Sequence, residues 1–245
     1  MSTYTDEISQ YSLDTKGIVG FIDSLKESFK QGEDCDLTIT CGARRWQVHK
    51  LILCLHSQVF KKMLRGPFKE GSQAEVALDN DDPDVLDTIF RYMYTFEYSS
   101  TPSTLSRMSE LVMSMRVAKA ADYYSMPRLE MAATQAFRRS CYKRHYFTRP
   151  VIDCDQDVAD AISEAFCEDG YDQFRRPLLA VAAENLEVLK AQPEKYKYFW
   201  KLVDSCTPFA VALLRYRPEK VSRADQTHTE PRSDKNMKFS ADLYY

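Results

Sequence analysis

After Gly32 the hydrophobic rhythm of the chain changes, and that change limits the fold more than any other feature of the sequence. Before it, Ile18, Ile22, Leu25 and Phe29 recur at steps of four, three and four, one stripe of an amphipathic helix predicted over about residues 14–31. The sequence leaves open whether that stripe lies on its own domain or on a second subunit. After Gly32, Leu37, Ile39 and Cys41 alternate with Thr38 and Thr40, the period of a strand with one buried face. Gly42 interrupts the alternation and Trp46 and Val48 resume it, so residues 36–49 read as a hairpin about a glycine-containing turn.

A lone hairpin is marginal in water and needs other elements to cover its apolar face. The next segments supply them with helical periodicity. Leu51–Leu55 is apolar all round, and Phe60, Met63 and Leu64 mark a second short helix, so both are expected to lie buried on the sheet. Gly66-Pro67 ends the second, because proline lacks an amide donor and restricts the residue before it. Val76 and Leu78 read as a short strand. Asp82 before Pro83 is a cap followed by proline at the first helical position, and Val85, Leu86, Ile89, Phe90, Met93 and Tyr94 give the helix behind it a broad apolar face. Met108, Leu111, Val112, Met115 and Ala118 form a further stripe, and Pro127 opens a helix carrying Leu129, Ala133, Ala136 and Phe137.

The second half shows no strand pattern. Val158, Ala161, Ile162, Ala165 and Phe166 fall at helical spacing, as do Tyr198, Phe199, Leu202 and Val203, while Pro177 and Pro193 are expected at helix starts. From Pro218 the chain is polar, charged and aperiodic and reads as a mobile tail. The expected class is therefore α+β, a small sheet flanked by helices and followed by an all-α C-terminal extension.

Function classes fall away in turn. The 245 residues carry 33 basic and 36 acidic side chains, a net charge of −3 that gives no general attraction to nucleic acid or anionic membranes. The longest apolar runs, Leu51–Leu55 and Phe209–Leu214, are far short of the roughly 18 residues of a membrane span. The opening MSTYTDEISQ lacks a basic leader and an apolar stretch, so the chain is expected to be soluble, in the cytoplasm or the nucleus. The seven glycines form no G-x-G, which argues against phosphate-cradling loops. Seven cysteines without a C-x-x-C read as reduced thiols, and the spacings among Cys35, Cys41, His49 and His56 match no standard zinc site. No G-x-S-x-G, H-E-x-x-H or kinase motif occurs, and Cys54 and His56, two apart on a helix, do not face each other. The expectation is a non-catalytic protein with no cofactor and no metal.

One local charge pattern stands out. Phe137–Arg149 holds five basic residues, interleaved with Tyr142, Tyr146 and Phe147 and free of acids, a composition able to hold single-stranded nucleic acid. Seven acidic residues follow between Asp153 and Asp169, so mutual neutralisation or helix-dipole preference is the simpler reading.

Residues 33–98 run GEDCDLTITCG, WQVHKLILCLHSQVFKKML, FKEGS and DDPDVLDTIFRYMYTFEY in that order. With Asp36, Val48-His49-Lys50, Phe68-x-Glu70 and Tyr92-x-Tyr94-Thr95 in their places, this resembles the BTB (POZ) fold, a protein-interaction module. The likeness is closest to the compact BTB proteins of filamentous fungi and continues weakly to about Arg217. It implies an N-terminal helix region over 1–32, a BTB domain over 33–142, a helical extension over 143–217 and a disordered tail over 218–245.

The resemblance also implies self-pairing. It puts the subunit contact on Ile18, Ile22, Leu25 and Phe29 and gives Asp36 and Lys50 the charged groove at that interface, against the alternative that these two merely stabilise the fold. His49 reads as structural packing. Phe68 and Glu70 match the hydrophobic-x-Glu motif with which some BTB adaptors engage the third cullin, a ubiquitin-ligase scaffold; the alternative is a turn segment whose Phe closes the core. No MATH or kelch repeat accompanies the motif, which weakens a substrate-adaptor reading, and the other reading is a dimerising transcription or chromatin regulator acting through partner proteins. The family usually has glycine after the Tyr-Thr pair, where this chain has Phe96. A bulky residue at positive φ is unfavourable, so the helix is expected to end differently or run on there, or Phe96 to be exposed as a contact residue.

Overall fold

The computed structural model describes residues 15–65, 74–100, 108–146 and 155–217. Its first element is α1 (Thr15–Gln31), ended by Gly32 at φ 70°. The hairpin follows as β1 (Leu37–Cys41) and β2 (Arg44–Val48), antiparallel in the register Leu37↔Val48 and Ile39↔Trp46, with Gly42 at φ 56° in the turn. Leu37, Ile39 and Cys41 all face the core, as their alternation requires.

Two short helices, α2 (Lys50–His56) and α3 (Gln58–Arg65), lead to β3 (Glu75–Ala77), which pairs parallel with β1 through Ile39↔Val76 and gives the strand order β2-β1-β3. Leu78, expected in this strand, lies just beyond it but is buried and donates its amide to the Thr40 carbonyl at 2.8 Å. The run 51–55 is not buried all round. Leu53 and Cys54 face the core, whereas Leu51 and Leu55 are 56% and 72% exposed, because a two-turn helix on a sheet turns only one side inward.

Helix α4 (Pro83–Thr95) is the central element, with Leu86, Ile89, Phe90, Met93 and Tyr94 wholly buried. The Asp82 carboxylate accepts the amides of Asp84 and Val85 at 2.9 and 3.4 Å, and Pro83 stands at the first position, as expected. At its other end Phe96 does take the left-handed conformation, φ 57° and ψ 12°, against expectation. Its amide donates to the Tyr92 carbonyl at 2.8 Å, and this closing bond with the surrounding fold holds a backbone that costs a non-glycine residue about 1 kcal/mol. Phe96 is also exposed, the other expected outcome.

The remaining helices are α5 (Glu110–Tyr123), α6 (Pro127–Tyr146), α7 (Asp155–Cys167), α8 (Asp172–Glu184), α9 (Leu186–Ala191), α10 (Lys197–Ser205) and α11 (Thr207–Arg215). Pro177 does not start a helix: α8 begins five residues earlier, and the proline sits in its interior. Pro193 precedes α10 by a turn rather than opening it, and Tyr198 is exposed while Phe199 and Leu202 carry that helix's buried face. One cluster of buried side chains extends from Leu37 on the sheet to Phe209 on α11, so the C-terminal helices share the core of the N-terminal part. The tail from 218 and most of the basic stretch beyond Cys141 lie outside the described side chains. Within the acidic stretch Glu164 pairs with Arg116 of α5.

Candidate interaction surface

The α1 stripe divides between two environments. Phe29 stacks on Tyr94 of α4, ring centroids 4.3 Å apart and planes 12° from parallel, and Leu25 packs against the same core. Ile22 is half-buried, and Ile18 is exposed together with Val19 and Phe21, the last by 63%. Phe21 lies outside the stripe read from the sequence. With Leu25, Ile52, Leu55, Tyr92, Phe96 and the start of α6 it lines an open groove of about 440 Å³, edged by His56 and Arg128. Leu51 adds a further exposed side chain on α2.

Sequence reasoning missed Leu51, Leu55 and Phe21. The signal was the surplus itself: a short helix apolar on every side carries more hydrophobic surface than one sheet face can cover. The His56 ring lies 5.1 Å from that of Phe96 and 6.2 Å from that of Tyr92. Burial holds its imidazole below the ordinary pKa, with a backbone hydrogen bond to Met93 acting weakly in the opposite direction.

Behind the groove a polar knot fixes α1, α2 and α4 to each other. Tyr94 Oη accepts the His49 amide at 2.8 Å and lies 2.9 Å from His49 Nδ1, while His49 Nε2 lies 3.0 Å from the Glu33 carbonyl. The carbonyl accepts only, so Nε2 carries the proton and Tyr94 donates to Nδ1. Burial raises the Tyr94 pKa well above the usual phenol value. His49 is thus held as a packing residue. Asp36 Oδ1 accepts the backbone amide of Lys50 at 2.7 Å and caps the first turn of α2, which His49 leaves without a side-chain cap. Asp36 and Lys50 are thus in contact from carboxylate to main-chain amide.

A second groove, of about 600 Å³, opens between the end of α3 at Met63, the loop Asp79–Asp82, the end of α5 at Tyr123 and the N-cap of α8 at Tyr171. Tyr124 donates to Asp81 Oδ2 at 2.9 Å, and burial raises the Asp81 pKa despite that bond. Phe68 and Glu70 lie outside the described residues.

Among the described residues no group of three or more His, Cys, Asp or Glu side chains is arranged to hold a metal, and no helix is long and apolar enough to cross a membrane. Residues 25–140 match the profile of the BTB/POZ domain family. The chain carries a BTB/POZ domain. Mouse Kelch-like protein 41 is 36% identical over 73 residues, 30% of this chain but 12% of that protein. Human zinc finger and BTB domain-containing protein 21 is 26% identical over 100 residues, 41% of this chain and 9% of that protein. The Arabidopsis thaliana BTB/POZ and MATH domain-containing protein 3 is 28% identical over 111 residues, 44% of this chain and 27% of that protein. The chain thus spans a small part of these relatives' length. Of solved structures, the BTB domain of zebrafish PATZ1 aligns at TM-score 0.43 and 18% identity over 53% of this chain and 98% of that one. The BTB/POZ domain is a protein-interaction module, and that is the coarse function of this part of the chain.

Proposed function

We propose that the BTB/POZ domain pairs with a second copy of itself through the exposed apolar face of α1, α2 and Phe96. The observation that carries this reading is that Phe21, Leu55 and Phe96, each more than half exposed, line one groove, with Ile18, Val19 and Leu51 exposed on the same two helices. Monomeric proteins rarely leave such a patch uncovered. A self-complementary apolar face closes in a two-fold dimer without leaving a second sticky surface. Sedimentation of Leu55→Asp combined with Phe21→Asp tests it: wild type sediments as a dimer at micromolar concentration and the folded variant as a monomer. A wild-type monomer, or a variant that stays dimeric, removes the reading.

A second reading, that the dimer is an adaptor on a cullin scaffold, rests on Phe68-Lys69-Glu70 following α3, whose Met63 lines the groove with the 67% exposed Tyr123. An aromatic anchor beside one acidic residue suits a small helical partner. Binding to the N-terminal helices of the third cullin, lost in Phe68→Ala with Glu70→Lys, supports it. No binding by wild type removes it and leaves a self-associating module of the kind that also serves dimerising regulators of transcription.

A further inference from the structure

The Cys167 and Cys206 sulfurs lie 3.0 Å apart, across 39 residues of sequence, and their surroundings differ. Cys167 is the last residue of α7 and is exposed; Cys206 is buried at the N-cap of α11. Closing the gap to a disulfide needs the two sulfurs to approach by about 1 Å, to roughly 2.05 Å. Burial, and then the neighbouring Cys167, hold the Cys206 pKa above the usual thiol value, with the Phe209 backbone acting in the opposite direction. The exposed sulfur meets a soluble oxidant first, and the sheltered one is placed to displace whatever the first has bound.

We infer that Cys167 and Cys206 form a reversible redox site that takes a low-molecular-weight disulfide of the glutathione class. In the first step the Cys167 thiolate attacks one sulfur of the oxidised small molecule, forming a mixed disulfide and releasing one small thiolate. In the second the Cys206 thiolate attacks the Cys167 sulfur, forming the intramolecular bond and releasing the second. Two protein thiols are oxidised, one external disulfide is reduced, and the two thiol protons pass to the two departing thiolates. The bond joins the end of α7, the helix that Arg116 grips through Glu164, to the corner between α10 and α11. Oxidation therefore staples the C-terminal helices, and reduction by a dithiol frees them.

The test is equilibration of the full chain in reduced and oxidised glutathione buffers, acid quenching, alkylation of free thiols, cleavage after glutamate and mass spectrometry. Cleavage after Glu164 and Glu168 isolates Cys167 on a four-residue peptide, apart from Cys154. The expected product is that peptide linked to the one carrying Cys206, appearing as the buffer becomes oxidising and lost on reduction. Cys167→Ser abolishes the link, and Cys206→Ala arrests Cys167 as its glutathione adduct. The linked protein melts several degrees above the reduced one, and Cys167→Ser melts alike in both buffers. Overturning results are a folded wild type that keeps both thiols free, or stops at the Cys167 adduct, in fully oxidised glutathione, and a link from either residue to another cysteine.

Discussion

Arg116 on α5 donates through Nε to both carboxylate oxygens of Glu164, at 3.0 and 3.1 Å, and through Nη1 to Asp82 Oδ2 at 2.8 Å. One guanidinium thus joins the N-cap of α4, in the BTB/POZ domain, to α7 of the C-terminal helices. One turn on, Lys119 donates to the Asp169 carbonyl at 2.8 Å and lies 4.3 Å from the centre of the Tyr171 ring. The helical extension is held on the domain by charge geometry as well as by apolar packing.

Removing one side of this joint is costly because Glu164 is 11% exposed at its side chain. Arg116→Leu leaves that carboxylate desolvated and short of its main partner. We expect a loss of about 2 kcal/mol in urea unfolding, below the roughly 3–5 kcal/mol of fully buried pairs because Arg116 is 35% exposed. Arg116→Leu with Glu164→Leu should lose less than the sum of the single changes; strict additivity would refute the coupling.

The divided α1 stripe separates folding from assembly. Phe29→Ala removes a ring stacked on Tyr94 and should cost about 2–3 kcal/mol of stability. Phe21→Ala, at an exposed position, should leave the melting temperature of dilute monomer within a degree or so while weakening self-association. Equal effects of both on thermal melting would count against that division.

Phe96→Gly removes the left-handed strain at the end of α4 and should raise stability by about 1 kcal/mol in denaturant titration. The same change strips an aromatic from the groove, so it should weaken dimerisation. A stabilised and more weakly associating variant is the expected pair of results, with denaturant titration and sedimentation as the measurements.

Asp36→Ala leaves the first turn of α2 uncapped and should cost about 1 kcal/mol. Asp36→Asn keeps an acceptor oxygen there and should lose only a fraction of that. If both variants fold with wild-type stability, the carboxylate serves something other than the cap.

Stability should fall on mild acidification through His56. Its folded pKa lies below the unfolded value of about 6.5, so the unfolded chain binds the proton more readily. This contribution is fully present above pH 6.5 and is lost as pH falls toward the folded value. The titratable groups around the ring are Tyr92 and Arg128, and neither turns anionic in this window. His56→Phe should flatten the pH dependence of the melting temperature between pH 5 and about 6.5 relative to wild type.

The sequence by itself determined the elements from α1 to α6 and their order. The alternation at Leu37, Ile39 and Cys41, the Asp82-Pro83 start and the stripe on α5 are local patterns, and backbone geometry alone ties each to a strand or a helix. Even the domain family was legible, because its fold requires those residue types in that order. Tertiary structure decided what each apolar face touches. Leu25 and Phe29 meet α4 while Phe21 meets solvent; Leu53 enters the core while Leu55 leaves it. The left-handed turn at Phe96, the proline inside α8, and the meeting of Arg116 with Glu164 and of Cys167 with Cys206 also waited for the fold. The physical reason is range. Periodicity is set within a few residues, whereas burial and pairing depend on which distant segment arrives opposite, and no local pattern encodes that arrival.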